Sequence, residues 1–260
     1  MHELYSYFLL GVKPRLGVRR RPTGAGWPRY SARLCPCRRV FDPPRRPLCP
    51  HCLRAACVCA VLARPGVPVA TAVALLILQH SREQHEPKGT ARLLHLALTG
   101  SRLLVGDAWP TPPDPADAVQ TPGMAAAPGP PRRDLLLYPA TLQDAALPAP
   151  PPLDSAWLAQ PTQLRLVVID GTWRKSRRML YDSPWLQGLP RLSLADPPPS
   201  RYRIRRARGT QQRSTFEAVL LALAALAPTD AASLAPLWQV FEAFVDALDR
   251  QATGVDAAPD

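Results

Sequence analysis

The sequence predicts an α/β domain with a mostly parallel sheet and flanking helices. Apolar runs of strand length alternate along the chain with segments of helical length. The clearest run, residues 164–169, is rich in Val, Leu and Ile, which is typical of a strand buried on both faces of a parallel sheet. At 260 residues, 47% of them hydrophobic, the chain is long enough for one such domain and a small additional module.

The same patterns place the elements in order. Strands are predicted at residues 71–79, 102–106, 134–139, 164–170 and 191–194. Helices are predicted at residues 91–98, 214–226 and 234–250, and residues 140–147 are compatible with a further one. Two Pro-rich stretches have no periodicity, and we expect the longer one, residues 108–133, to be a flexible surface insertion.

Polar residues follow the fourth strand directly, as Asp170-Gly-Thr-Trp173 and then a basic run that contains Lys175 and Arg178. Ligands of parallel sheets bind just past the carboxyl ends of the strands, so these residues are candidates for a site. A second interpretation is that Asp170 caps the next helix and Trp173 packs in the core. The sequence contains no G-x-G-x-x-G and no P-loop, which excludes the common dinucleotide and NTPase motifs.

Two further segments carry polar groups that could serve a site. The first strand is followed by His80, Glu83 and Lys88, which a solvent-facing loop would also explain. Ser214 and Glu217 have the spacing of a capping box at the start of the helix at 214–226. A helix start also offers N–H groups and a positive dipole to an anion, and the arginines at 203–208 could add contacts.

The charge of the chain predicts an anionic partner, with nucleic acid the default. The net charge is +12, and residues 1–60 hold 12 Lys and Arg against 2 Asp and Glu. A solvated basic face is the alternative. The longest apolar run, residues 67–78, is too short to span a membrane, and the N-terminus lacks the pattern of a signal peptide. We therefore expect a cytoplasmic protein without a membrane partner, and no protein partner is evident.

All six cysteines lie within 25 residues, which indicates a metal site and not a disulfide scaffold. Cys49, Cys52, Cys57 and Cys59 have the spacing C-x2-C-x4-C-x-C, which suits a structural Zn²⁺ held by four thiolates. Buried free thiols are the alternative, Cys35 and Cys37 could replace one pair, and His51 could be a ligand.

These features divide the chain into four parts. Residues 1–30 are expected to be a basic extension, either a disordered tail or a product of a misassigned start codon. Residues 31–62 form the cysteine-rich zinc module, residues 63–250 the α/β domain with its insertion, and residues 251–260 a tail.

Five motifs, in this order, resemble those of the DTW-domain family of tRNA-uridine aminocarboxypropyltransferases. They are the four cysteines, His80-x2-Glu83 with Thr90, Leu137-Tyr138-Pro139, Asp170-Gly-Thr-Trp173 and Ser214-Thr-x-Glu217-Ala. The resemblance covers residues 46–250 and implies a SPOUT-like α/β fold in which a knot is a possibility. Cys35, Cys37, the insertion and residues 1–30 depart from the family pattern.

The resemblance implies transfer of the 3-amino-3-carboxypropyl group of S-adenosylmethionine to N3 of a uridine in tRNA. It implies catalytic roles for Asp170, Thr172 and Trp173, with Asp170 as the candidate general base. It implies cofactor contacts at Leu137, Tyr138, Pro139, Arg205, Ser214, Thr215 and Glu217. We expect RNA contacts at His80, Glu83, Lys88, Lys175, Arg178 and Arg203.

Two other functions remain open on the sequence. One is a different S-adenosylmethionine-dependent RNA modification, by an rRNA aminocarboxypropyltransferase or a SPOUT methyltransferase. The other is a zinc-containing RNA-binding protein without catalysis.

Overall fold

The computed structural model describes residues 47–113, 132–139, 147–204 and 213–253. All of them belong to one unit, which begins at Arg46. The predictions for residues 1–46, for most of the insertion, for a helix at 140–147 and for Arg205 lie outside the described residues.

Five strands form one sheet, and every described pairing in it is parallel, as the sequence predicts. The strands are Ala74–Gln79 (β1), Arg102–Val105 (β2), Arg133–Leu137 (β3), Leu164–Asp170 (β4) and Arg191–Leu192 (β5). Their order is β2-β1-β4-β3-β5, so that β4 pairs with β1 on one side and with β3 on the other. A knot stays a prediction of the family resemblance.

Helices cover both faces of this sheet. They are Ala91–Ala97 (α1), Ser155–Leu158 (α2), Trp173–Tyr181 (α3), Pro184–Gln187 (α4), Thr215–Leu226 (α5) and Ala235–Thr253 (α6). Leu75 and Ile77 of β1 belong to the core that includes α1, α5 and α6, whereas Leu76 and Leu78 belong to the core that includes α3 and α4. Alternate residues of β1 therefore fill two cores, which is why this strand is apolar up to its last residue. None of the helices in the described ranges has the length and apolar character that a membrane crossing requires.

The elements differ from prediction mainly at their ends. β1 begins three residues later than predicted, since the Thr71 hydroxyl donates to the Val73 carbonyl at 2.8 Å and the chain turns there. β3 includes Arg133, which was assigned to the insertion, because this residue pairs with Leu164 of β4. β5 has only two residues. The helices α2 and α4 have four residues each, too few to show a periodicity in the sequence.

Candidate active site and cysteine cluster

The carboxyl ends of the strands meet at one edge of the sheet, where the candidate site lies. Gln79, the last residue of β1, is in register with Asp170, the last residue of β4. On the other side of β4, Leu137 ends β3 and pairs with Val168. Three strand ends therefore bring their following residues together, as the topology of a parallel sheet requires.

Asp170 is almost fully buried, with 7% of its surface exposed, and its carboxylate is held from two directions. The Thr215 hydroxyl donates to Oδ1 at 2.6 Å, and the Gln79 side-chain amide donates to Oδ2 at 2.9 Å. The backbone carbonyl of Asp170 also accepts from the His80 N–H at 2.9 Å. Both side-chain bonds are donated to the carboxylate, and they fix the positions of its two oxygens. Sequence reasoning missed Gln79, although a polar residue at the end of an apolar strand was a usable signal.

Thr172, and not Asp170, caps the helix that follows β4. Its Oγ1 accepts from the Lys175 N–H at 3.4 Å, and Thr172 has the extended backbone of an N-cap residue. Trp173, the first residue of α3, is 58% exposed. The interpretation in which Asp170 caps the helix and Trp173 packs in the core is therefore wrong on both points.

Trp173 forms an aromatic stack with the residue that follows β3. Its ring lies nearly parallel to that of Tyr138, with 5.3 Å between ring centroids and 9° between the planes. Tyr138 is buried, and the Arg191 guanidinium lies 5.5 Å from its ring centroid. Arg191 also donates to the Pro139 carbonyl at 3.3 Å, which fixes the chain just after Leu137 and Tyr138. The result is a rigid, exposed indole at the sheet edge.

The segment after β1 is partly covered and forms polar contacts within the protein. The Glu83 carboxylate binds the Lys175 ammonium at 2.6 Å, which connects this segment to the first turn of α3. The His80 Nδ1 atom accepts from the Arg82 N–H at 3.1 Å and lies 3.2 Å from Oδ1 of Asp107. The side chains of His80 and Glu83 are each 14% exposed, so a freely solvated loop does not describe them.

The capping box at the start of α5 is present in full. The Ser214 Oγ atom accepts from the Glu217 N–H at 3.2 Å, and Oε2 of Glu217 accepts from the Ser214 N–H at 3.0 Å. Glu217 is 1% exposed, and it also accepts from the Ser200 hydroxyl and, at 2.7 Å, from the Arg201 N–H. Both carboxylate oxygens are thus bonded within the protein, where they attach the loop at 200–201 to the start of α5.

The N–H groups of the first turn of α5 are partly used by the protein. Thr90, which is buried, accepts from the Phe216 N–H at 3.2 Å, in addition to the bond between Ser214 and the Glu217 N–H. The Thr215 hydroxyl, at the same end of the helix, bonds to Asp170. Two carboxylates therefore lie at the positive end of α5, that of Glu217 in the capping box and that of Asp170 through its bond from Thr215.

Besides Lys175, which binds Glu83, two of the expected RNA-contacting cations are bonded to acidic side chains. Arg203 binds Asp246 and, at 2.7 Å, Asp249, both on α6. Arg178, on the exposed side of α3, binds Asp182 at 2.5 Å. The net charge of the sequence does not reveal such pairing, which lowers the charge that these residues present to a ligand.

The remaining predicted site residues lie in different parts of the structure. Lys88 has an exposed side chain, and its backbone carbonyl accepts from the Tyr202 hydroxyl at 2.7 Å. The sheet edge and the start of α5 together bring most of the predicted residues into one region, among them Tyr138, Asp170, Thr172, Trp173, Lys175, Glu83, His80 and Thr215. Arg203 lies against α6 instead.

The four predicted ligand cysteines form a compact cysteine cluster (Cys49, Cys52, Cys57 and Cys59). Their sulfur atoms all lie within 4.8 Å of one another. Three of the S–S distances are 3.5, 3.7 and 3.9 Å. Four thiolates placed tetrahedrally at ~2.3 Å from Zn²⁺ would be about 3.8 Å apart, so the cluster fits the ion. Cys35 and Cys37 lie outside the described residues.

The thiols of the cluster differ in their acidity. Backbone hydrogen bonds from Cys52 and His51 lower the pKa of the Cys49 thiol to about 6, whereas burial raises the pKa of the Cys59 thiol. A cation among the four sulfurs would favour the thiolate form at every position. The side chain of His51 is exposed, and within the described chain His51 does not belong to the group of candidate ligands.

Comparison with known proteins assigns the chain to a family. The model of the DTW domain matches residues 46–249, which include the cysteine cluster and the sheet-edge site. A relative, tRNA-uridine aminocarboxypropyltransferase 2 of Drosophila melanogaster, is 33% identical over 189 residues, which cover 71% of this chain and 69% of that protein. No solved structure matches the chain. This chain therefore belongs to the DTW domain family.

Proposed function

We propose that the protein transfers the 3-amino-3-carboxypropyl group of S-adenosylmethionine to N3 of a uridine in tRNA, in the cytoplasm. The observation that carries the proposal is that a buried carboxylate, Asp170, and an exposed indole, Trp173, both lie at the carboxyl edge of a parallel sheet. The name of the Drosophila relative, a tRNA-uridine aminocarboxypropyltransferase, supports the reaction class.

The reaction is a displacement at a carbon bonded to a sulfonium. A bond forms between uracil N3 and the terminal carbon of the aminocarboxypropyl group, the bond from that carbon to sulfur breaks, and 5′-methylthioadenosine leaves. The N3 proton must pass to a base, and we assign that role to Asp170, directly or through a water. Thr215 and Gln79 hold its two oxygens, which fixes the orientation of the carboxylate.

The choice of transferred group depends on which of the three carbons on sulfur faces N3. We propose that Trp173 stacks on adenine or uracil and that the segment Leu137-Tyr138-Pro139 borders the donor. Thr172 holds the first turn of α3, and therefore the indole, in place. Ser214 and Glu217 act by fixing the start of α5, because both are buried in the capping box.

We propose that tRNA binds along the exposed side of α3 and through the basic N-terminal region. Five residues of α3 are exposed, and they include two aromatic and three basic side chains: Trp173, Arg174, Arg177, Arg178 and Tyr181. Aromatic faces accept unstacked bases, and guanidinium groups contact phosphates. His80 directly follows β1, and Lys88 lies further along the same segment. We propose that both contact the target nucleotide. Glu83 positions Lys175 through their ion pair.

The experiment that tests the proposal is nucleoside mass spectrometry. Purified protein is incubated with S-adenosylmethionine and unmodified tRNA, and the digested RNA is compared with that from Asp170→Asn. Asp154→Asn is the matched control, since Asp154 is an exposed N-cap of α2 and Asn caps helices equally well. We expect a uridine heavier by one aminocarboxypropyl group with the wild type and the control, and none with Asp170→Asn.

Other outcomes would contradict specific parts of the proposal. A methylated nucleoside would favour a methyltransferase, and product on rRNA but not on tRNA would change the substrate. Tight tRNA binding without any product and without binding of S-adenosylmethionine would favour an RNA-binding protein without catalysis. Full activity of Asp170→Asn would exclude Asp170 as the base.

A further inference from the structure

Two buried arginines lie beside the cysteine cluster. Arg54 is 6% exposed and Arg92 is 8% exposed. Nη1 of Arg54 donates to the Cys52 carbonyl at 3.2 Å, and Nε of Arg92 donates to the His51 carbonyl at 2.9 Å. Both guanidinium groups are thus hydrogen-bonded to the backbone of the turn that carries two of the four cysteines.

Neither arginine forms an ion pair with a carboxylate of the described chain. A buried guanidinium without a counter-charge is costly, so the two positive charges require an anionic neighbour. Four thiolates around a divalent cation carry a net charge of about −2, which matches two guanidinium groups. Four neutral thiols, or two disulfides, would carry no charge at all. The charge balance therefore favours a divalent tetrathiolate, with Arg54 and Arg92 as its counter-charges.

Arg54 also reaches a segment that precedes α1. Its Nε donates to the Pro87 carbonyl at 3.1 Å, and its Nη2 donates to the Gly89 carbonyl. The carbonyl between them, that of Lys88, accepts from the Tyr202 hydroxyl at 2.7 Å. Three consecutive carbonyls are thus fixed by side chains from distant parts of the sequence, and Arg54 supplies two of these bonds.

This segment leads directly to the candidate active site. Thr90 follows Gly89, and its hydroxyl accepts from the Phe216 N–H in the first turn of α5. The neighbouring Thr215 donates to Asp170. Arg54 therefore connects the cysteine cluster, through the segment at 87–90, to the helix start that holds Asp170.

We propose that Arg54 and Arg92 are the counter-charges of a divalent metal in the cysteine cluster, and that Arg54 makes the order of residues 87–90 depend on metal occupancy. Arg54 is on this view a positioning residue, since it acts on Asp170 only through Thr90 and α5. The inference requires that the cluster binds a metal, but it does not depend on the transfer reaction.

The first test measures metal affinity by competition between the full-length protein and a chromophoric chelator, with Zn²⁺ and Co²⁺ as probes. The variants are Arg54→Met, Arg92→Met and Arg54→Lys, and Arg250→Met is the control because Arg250 is an exposed arginine on α6. Removal of groups that support metal ligands typically lowers affinity about 10–100-fold, and we expect this for both Met variants. Arg54→Lys, which keeps the charge, should retain most of the affinity, and Arg250→Met all of it.

The second test measures amide hydrogen exchange in peptides that cover residues 84–92 and 214–218. In the metal-loaded wild type we expect slow exchange, and after chelation we expect faster exchange in both peptides. Metal-loaded Arg54→Lys should also exchange faster there, because Lys cannot bond both carbonyls as the guanidinium does. Metal-loaded Arg92→Met should keep the slow exchange of the wild type at residues 87–90, since in the described chain the Arg92 side chain donates to the His51 carbonyl and not to this segment.

Several results would overturn the inference. Absence of divalent metal binding by the wild type would remove its basis, as would unchanged affinity in both Met variants. Exchange at 84–92 that does not respond to chelation would refute the dependence on the metal. If Arg54→Met does not fold, the comparison of Arg54→Lys with Arg92→Met still decides between the two roles of Arg54.

Discussion

Replacement of Gln79 should impair the reaction without unfolding the protein. Gln79 is buried at the end of β1, and its amide donates to Oδ2 of Asp170 at 2.9 Å. In Gln79→Met the side chain keeps a similar length and loses the donor. The buried carboxylate then keeps its bond from Thr215 but has one fewer donor to stabilise its charge.

The size of the effect follows from the kind of bond that is lost. A hydrogen bond to a charged group contributes roughly 1.5–3 kcal/mol, more than one between neutral groups. If the reaction requires the orientation that this bond fixes, its loss raises the barrier by the same amount and slows the rate about 10–150-fold. Gln79→Glu places a second carboxylate against Asp170. At low pH the pair can share a proton, whereas at higher pH the two charges repel, so the relative activity of this variant should fall as the pH rises.

The assay is the initial rate of modified-nucleoside formation on tRNA, with thermal unfolding recorded for every variant. Gln160→Met is the matched control, because Gln160 is exposed and its side chain does not cap the short helix that follows it. A rate for Gln79→Met within about twofold of the wild type would refute the reasoning. A pH-independent loss in Gln79→Glu would also refute it, since that would indicate damage to packing and not to the carboxylate.

Three further predictions concern stability and binding. Burial, with the nearby Arg92 charge, lowers the pKa of His95 from 6.5 to about 4, so on acidification the unfolded chain takes up a proton before the folded chain does. The stability that neutral His95 contributes is present above pH 6.5 and is lost as the pH falls towards 4, with about 2 kcal/mol lost between pH 7 and pH 5. In urea unfolding, the wild type should lose this much more stability than His95→Gln over the same pH range, and equal losses in the two proteins would contradict the prediction. Trp173→Ala should leave the melting temperature nearly unchanged but weaken tRNA or donor binding roughly 5–150-fold, the range expected for a lost base stack, and unchanged KM values for both would contradict this. Glu217→Gln should lower the free energy of unfolding by about 2 kcal/mol, because the buried carboxylate accepts bonds from two segments; lost activity at full stability would instead make Glu217 a ligand contact.

The fold could be predicted from the sequence because β1 and β4 are largely apolar on both faces. The run at 164–169 is such a strand, and its position at the centre of the sheet explains its composition. The ends of elements were harder to predict, since local side-chain bonds determine them. Thr71 turns the chain before β1, and Thr172 starts α3 although Asp170 is the stronger general candidate for a cap.

Only those parts of the candidate site whose residues are close together in the sequence could be predicted. Asp170, Trp173 and the capping box belong to short motifs, and the structure has them at the sheet edge and at the start of α5. Gln79 depends on the register between β1 and β4, which the sequence does not encode locally. The pairing of Arg203 with two carboxylates of α6 depends likewise on tertiary packing, so charge counts overstated its availability.

The position of Asp170 also constrains how a donor with its own carboxylate could bind. The positive end of α5 already lies beside two carboxylates, since Glu217 closes the capping box there and Thr215 donates to Asp170. A further carboxylate at the same helix end would be repelled by both, and the bonds to Thr90 and Ser214 leave fewer N–H groups to receive it. We therefore propose that the donor carboxylate binds a cation of its own, and the sequence offers guanidinium groups, which bind carboxylates in a bidentate manner, in the arginine-rich segment before α5. On this proposal the start of α5 serves Asp170 as the base, and Arg205 serves the donor.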